Sequence, residues 1–157
     1  MEKSPEPYSL GQGEGRSIDL GEGFAVAVKA DDRQTGGVVS VLETQEPPAF
    51  GPPVHVHHDC AEAFYVLEGE YVMYLGDEEV VCRPGSFIFV PRGVPHGFRT
   101  GDAVGRKLNF YFPASMVGYF DDLAATLRGQ DVGEDELAGI AAKHGMVIVG
   151  PPCDRYV

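Results

Sequence analysis

The sequence predicts an all-β sandwich or barrel closed by two short C-terminal α-helices, and three observations carry that reading. From about residue 24 to residue 112 the chain is a series of short β-like runs separated by Gly and Pro, with no helical segment between them. Valine outnumbers leucine and isoleucine together, a bias toward strands. After Pro113 the apolar residues recur at helical rather than alternating spacing. The 157 residues are the size of one domain, and neither an internal repeat nor a second domain is visible.

Along the chain, residues 1–16 mix Pro, Gly, Ser and charge without periodicity, which predicts a flexible N-terminal arm or an edge segment. Residues 17–112 are assigned to the barrel. Its strands are read from FAVAVKA, GVVSVLE, VHVHH, EAFYVLEG, YVMYL, EVVC, SFIFV, HGFRT and RKLNFYF. Gly69 ends one run, and Gly76-Asp77 separates two others at hairpin spacing. Residues 113–157 are expected to form a helical extension packing on the barrel. Ser115 is the expected N-cap of a helix carrying Met116, Phe120, Leu123 and Leu127 up to Gly129. A second helix is expected after Asp131, with acidic Glu134, Asp135 and Glu136 in its first turn, then Leu137, Ile140, Ala141 and His144, and Gly145 just past its end. The tail MVIVGPP reads as a last strand.

Composition excludes several partners. With 12 basic and 24 acidic residues the net charge is −12, which gives no general attraction to phosphate, so nucleic acid and anionic membrane are not expected partners. The longest apolar runs, such as Phe87-Ile88-Phe89-Val90, are far below the ~18 residues of a membrane span. Cys60, Cys82 and Cys153 are odd in number and lack CxxC spacing, and no cleavable leader pattern precedes the barrel. A cytoplasmic location is the expectation. Cys60 has no basic setting to activate it, no GxSxG is present, and the glycines of GQGEGR follow no strand. His58 is expected in an exposed loop, and His144 in helix packing or at a helix C-terminus.

The remaining histidines are arranged differently. On a strand, His55 and His57 share a face while His58 points away. Glu62 opens the next run and shares a face with Phe64 and Val66; His96 follows a Pro-Arg-Gly-Val-Pro turn and shares a face with Phe98 and Thr100. Burying a carboxylate beside three imidazoles is costly unless a cation compensates it. His55, His57, Glu62 and His96 are therefore the candidate ligands of one divalent transition metal ion, Fe, Mn, Ni, Co or Zn. An N3O set leaves positions for water, oxygen or a chelating substrate.

These residues resemble the cupin superfamily. Residues 55–69, HVHHDCAEAFYVLEG, follow the first cupin motif as His, one residue, His, four residues, Glu, six residues, Gly. Residues 85–96, GSFIFVPRGVPH, follow the second as Gly, five residues, Pro-x-Gly, two residues, His, and 15 residues separate the two motifs. GQGEGR, EAFYVLEGE and the ending GMVIVGPP are similar to a bacterial quercetin-dioxygenase-like subgroup. The resemblance implies a double-stranded β-helix, the cupin jelly-roll barrel, and a homodimer. Two positions depart from the motifs. Gly51 precedes His55 by only three intervening residues, and Pro52-Pro53 stiffens the entry, which should alter the pocket mouth. Thr100 stands where Asn is common, and the expected consequence is a missing supporting contact.

The resemblance implies a dioxygenase acting with O2 on an aromatic or enol, flavonol-like small molecule, with Glu62 as the catalytic proton acceptor. Phe64 and Phe98 are the candidate substrate-binding walls. Alternatives are a non-redox, metal-dependent cyclase or isomerase of aromatic polyketide-like substrates, in which Glu62 moves a proton beside a Lewis acid, and a cupin that binds a small ligand without chemistry.

Overall fold

The computed structural model describes residues 4–128 and 132–152. In chain order its elements are β1 (Arg16–Asp19), β2 (Ala25–Ala30), α1 (Asp32–Thr35), β3 (Ser40–Glu46), β4 (Pro53–His57), β5 (Ala61–Glu68), β6 (Tyr71–Leu75), β7 (Glu78–Cys82), β8 (Phe87–Val90), β9 (His96–Thr100), β10 (Gly105–Phe112), α2 (Val117–Leu127), α3 (Glu134–Lys143) and β11 (Met146–Pro152). Two antiparallel sheets result, a six-stranded one in the order β1-β2-β3-β10-β5-β8 and a five-stranded one in the order β11-β4-β9-β6-β7. From β3 to β6 and again from β7 to β11 consecutive strands alternate between the sheets, as in a double-stranded β-helix, while β1–β3 and the β6–β7 hairpin each stay within one sheet. Among the described residues no helix is long and apolar enough to cross a membrane.

Each strand in the FAVAVKA to RKLNFYF series is present, because turn residues bound every run. The β6–β7 hairpin pairs Leu75 with Glu78 across Gly76-Asp77, and Gly76 has φ of 59°, in the left-handed region that glycine reaches without strain. A different constraint acts at Gly51, where a Cβ would lie 2.2 Å from the Phe98 carbonyl oxygen. Only glycine lets this stretch pass so close to β9. The tail forms β11 and pairs with the histidine strand β4.

Several expectations need correction. Strand β1 lies in a stretch with no predicted element, and so does α1, a single turn held by a capping box between Asp31 and Gln34. Ser115 does not cap α2. Its backbone is bound to β3, with Ser40 Oγ donating to its carbonyl at 2.6 Å and accepting from its amide at 3.0 Å. The N-cap is Met116, at φ of 71°. Helix α3 begins at Glu134 with Gly133 as its N-cap residue, and Asp131 and Gly129 lie outside the described residues. Gly145 follows the helix with φ of 72°, as expected for a C′ residue.

The N-terminal segment is tied to the barrel edge. Tyr8 donates to the Lys29 carbonyl, Lys29 Nζ donates to the carbonyls of Gly11 and Glu14, and the Gly13 amide donates to Glu43. Glu43 also pairs with Arg106 at 2.7 Å and Lys29 at 2.8 Å, which links β2, β3 and β10 on their outer face.

Two apolar clusters form the core. Phe64, Val66, Tyr71, Met73, Ile88, Val90 and Phe98 fill one end of the barrel. Leu42, Tyr111, Met116, Tyr119, Leu123, Ala141 and Met146 join the barrel to the helices. The helical extension therefore roofs the other end of the barrel, and the candidate site lies between the two clusters.

Candidate functional site

Strand pairing assembles the site. Strand β4 turns His55 and His57 inward, and β9 lies beside it with His55 opposite His96. Glu62, at the start of β5, reaches in from the other sheet. The three imidazole centroids are 4.5–5.3 Å apart, and the ligand-type atoms of His55, His57, Glu62 and His96 all lie within 4.8 Å of one another. Glu62 Oε2 is 2.9 Å from His57 Nε2 and 2.8 Å from His96 Nε2. The structure thus brings together all four residues singled out in the sequence.

Backbone carbonyls orient two of the rings. Nδ1 of His55 is 2.8 Å from the Pro53 oxygen, and Nδ1 of His96 is 2.9 Å from the Val94 oxygen. With Nδ1–H donating to those carbonyls, each ring turns its Nε2 toward the centre, the nitrogen a metal ligand would use. Each carbonyl lies two residues before its histidine, beside or within a Pro-containing entry that fixes the backbone.

The electrostatics favour a cation at this point. Burial opposes ionisation of Glu62, but hydrogen bonds and charge interactions with His57 and His96 outweigh it and hold the carboxyl well below the usual range. Burial, with His96 nearby, pushes His55 down to about 4, so this ring is neutral at ordinary pH. Burial also opposes a charge on His96, yet its hydrogen bond and attraction to Glu62 hold it above the usual imidazole value. Two imidazole nitrogens converging on one buried carboxylate oxygen each need an N–H or a metal ion between them and that oxygen. Among the described residues His57 Nδ1 is buried without a hydrogen-bond partner. Three imidazole nitrogens and one carboxylate oxygen match the donor preference of divalent first-row metals. The residues present fit such an ion.

A cavity of about 540 Å³ opens from this centre. Phe64 and Phe98 line it, edge to face with centroids 6.4 Å apart, together with Phe24, Phe50, Tyr119 and Phe120. Gly51, Pro52 and Pro53 also line it, in keeping with a mouth shaped by the altered motif entry. Thr100 corrects the expectation of a missing contact. Its hydroxyl donates to the Pro47 carbonyl at 2.7 Å and accepts from the Phe50 amide at 2.8 Å, which pins the segment leading into β4. His58 is exposed, Cys60 is buried, and His144 at the end of α3 bonds Asp122 of α2 at 2.7 Å.

Sequence reasoning missed the polar residues of β10. Lys107, Asn109 and Tyr111 face the cavity, while Leu108, Phe110 and Phe112 on alternate positions face outward and are only partly covered. Alternation in RKLNFYF shows that the two sets separate, but the rule that the apolar set goes inside assigns them the wrong way round. Tyr111 sits opposite Glu62 in the β10–β5 register. Burial, then the Glu62 charge and a hydrogen bond to it, push the Tyr111 phenol well above its ordinary value.

A two-sheet β-helix with a His3Glu centre facing an aromatic cavity defines the class. Residues 41–107 match the cupin domain family, and the chain is 28% identical over 123 residues to quercetin 2,3-dioxygenase of Bacillus subtilis (strain 168), covering 78% of this chain and 36% of that protein. The chain carries a cupin domain related to that enzyme, and spans about a third of that relative's length. Among solved structures, an RmlC-like cupin from Shewanella frigidimarina superposes with TM-score 0.60 at 24% identity, covering 73% of this chain and 96% of that one. The polyketide cyclase RemF from Streptomyces resistomycificus superposes with TM-score 0.58 at 24% identity, covering 68% and 80%. Both likenesses speak to the fold.

Proposed function

We propose that this protein is a metal-dependent dioxygenase of an aromatic, enol-bearing, flavonol-like small molecule. The observation that carries the reading is the junction of a His3Glu donor set with an aromatic-walled cavity large enough for a multi-ring ligand. The relatedness to a quercetin 2,3-dioxygenase supports it. A divalent ion bound by His55, His57, Glu62 and His96 would supply a Lewis acid with positions open to substrate and O2. Phe64 and Phe98 would hold the planar substrate by ring contact. Glu62 would accept the enol proton, and Tyr111 would keep that carboxylate ionised by donating a hydrogen bond to it. The α2 and α3 side chains Leu123, Leu127 and Leu137 would keep bulk water from the reacting centre. The substrate is oxidised, and both atoms of O2 enter the products.

The test is oxygen uptake by metal-loaded protein with quercetin, followed by loss of the flavonol absorbance. The expected result is equimolar consumption of the two, lowered at least ~100-fold in Glu62→Gln that retains its metal. Consumption of quercetin without oxygen would reject the reading. A non-redox cyclase or isomerase is the second reading, favoured by the Glu62 carboxylate placed beside the Tyr111 hydroxyl in one cavity. It predicts turnover that is independent of O2.

The same reading carries a homodimer. Strand β8 is a sheet edge with Phe87 65% and Phe89 54% exposed, a surface that pairing would cover. Light scattering at micromolar concentration is expected to give twice the chain mass. Cys60 and Cys82 are free buried thiols, in keeping with a reducing compartment.

A further inference from the structure

Lys107, Asn109 and Tyr111 follow one another at two-residue spacing on the inward face of β10, roughly 7 Å per step. Tyr111 stands at Glu62, and the other two lie one and two steps farther along the same cavity wall. That remote wall is an ordered polar network. Lys107, only 1% exposed, donates from Nζ to Glu46 Oε1 at 2.5 Å and to Thr44 Oγ1 at 2.9 Å, and lies 4.1 Å over the Phe98 ring. Tyr71 donates to the other Glu46 oxygen at 2.6 Å. Asn109 donates from Nδ2 to the Leu42 carbonyl at 3.2 Å and to Thr44 Oγ1 at 2.9 Å.

Two groups of this wall, beside the Thr44 hydroxyl that accepts from both, keep hydrogen-bonding capacity to spare. Both Nδ2 protons of Asn109 are committed, so its remaining group is Oδ1, an acceptor. An ammonium has three N–H groups, and two of those on Lys107 are committed, so one donor remains. A buried ion pair contributes little stability for its desolvation cost, and an apolar pair would close this end of the barrel as well. A neighbouring acceptor and donor on a cavity wall match a hydroxyl group, which both donates and accepts. The charges of Lys107 and Glu46 offset each other, so the wall does not select a net charge.

We propose that Asn109 and Lys107 form a second, hydroxyl-reading subsite, in which a ring hydroxyl of the ligand donates to Asn109 Oδ1 and accepts from Lys107 Nζ. The contact fixes which end of an aromatic ligand reaches the His/Glu centre. Thr44 and Glu46 are positioning residues that hold the two groups. The inference rests on the aromatic-substrate reading above, but not on oxygen chemistry.

Equilibrium dialysis of metal-loaded protein under anaerobic conditions tests it with two probes. Quercetin carries ring hydroxyls, whereas 3-hydroxyflavone keeps the chelating hydroxyl and carbonyl and lacks the others. Wild-type protein should bind quercetin about tenfold more tightly, the worth of one good hydrogen-bonded group. In Asn109→Leu the ratio should fall to within about twofold, and the charge-neutral pair Lys107→Met/Glu46→Gln should lower it likewise. The double variant decides the matter if Asn109→Leu does not fold, and the single variant does so in the reverse case. A ratio near one in wild type, or a wild-type ratio kept by folded, metal-loaded variants, overturns the subsite and leaves the network structural. Binding that follows the expected ratios without oxygen uptake overturns the dioxygenase reading alone. Failure to bind either flavonol overturns both.

Discussion

Glu62 and Tyr111 face each other across the β5–β10 pairing, and their coupling fixes how the site should respond to pH. A phenol that donates to a carboxylate stabilises the ionised form, so removing it raises the carboxyl pKa. Tyr111→Phe should therefore move the acid limb of the rate profile to higher pH, by about one unit, while metal content stays unchanged. An unmoved acid limb would show that Tyr111 only packs. The histidines set a second dependence. Imidazoles bind metal in the neutral form. His55, pushed down to about 4, is ready at any ordinary pH, whereas His96 sits above its usual value and must release a proton first. Metal affinity should then fall as pH drops through the raised His96 value. Metal titrations between pH 5.5 and 8 read this directly, and an affinity flat down to pH 5.5 would contradict it.

At the scale of elements, the helical extension contributes walls as well as core. Leu123 of α2 is buried in the cluster that joins barrel and helices, and it also lines the cavity. Leu123→Ala should lower unfolding stability by about 2–4 kcal/mol in denaturant titrations and weaken flavonol binding together. Loss of stability with binding intact would separate the roof from the site. The strands were legible in the sequence because Gly and Pro punctuate them and because β-branched residues fill them. The four candidate ligands were legible because parity and motif spacing act locally. What escaped had a tertiary cause. Strand β10 carries polar groups inward because Glu46, Thr44 and Glu62 on neighbouring strands are there to pair with them, and no window of RKLNFYF contains those partners. Ser115 failed as a cap because Ser40, 75 residues away in the chain, binds its backbone. The single turn α1 had a local signal, Asp31 followed three residues later by Gln34, that the strand pattern on either side obscured.

For the whole molecule, a net charge of −12 encloses a centre that favours a cation. The acids at the surface and the carboxylate in the barrel act differently, since Arg16–Asp121 and Lys143–Asp122 are exposed pairs worth little, while Glu62 is buried among imidazoles. The fold places the centre where two sheets and the helical roof meet, so binding, proton transfer and exclusion of water depend on one cavity. The proposed function depends on His55, His57, Glu62 and His96 together holding one divalent ion. Calorimetric titration of metal-stripped protein with Mn, Fe, Co, Ni and Zn, repeated on His57→Ala, tests it most directly. One ion per chain is expected for at least one metal, with that binding abolished or weakened at least ~10-fold in the variant. No binding by wild type, or equal binding by the variant, would contradict it.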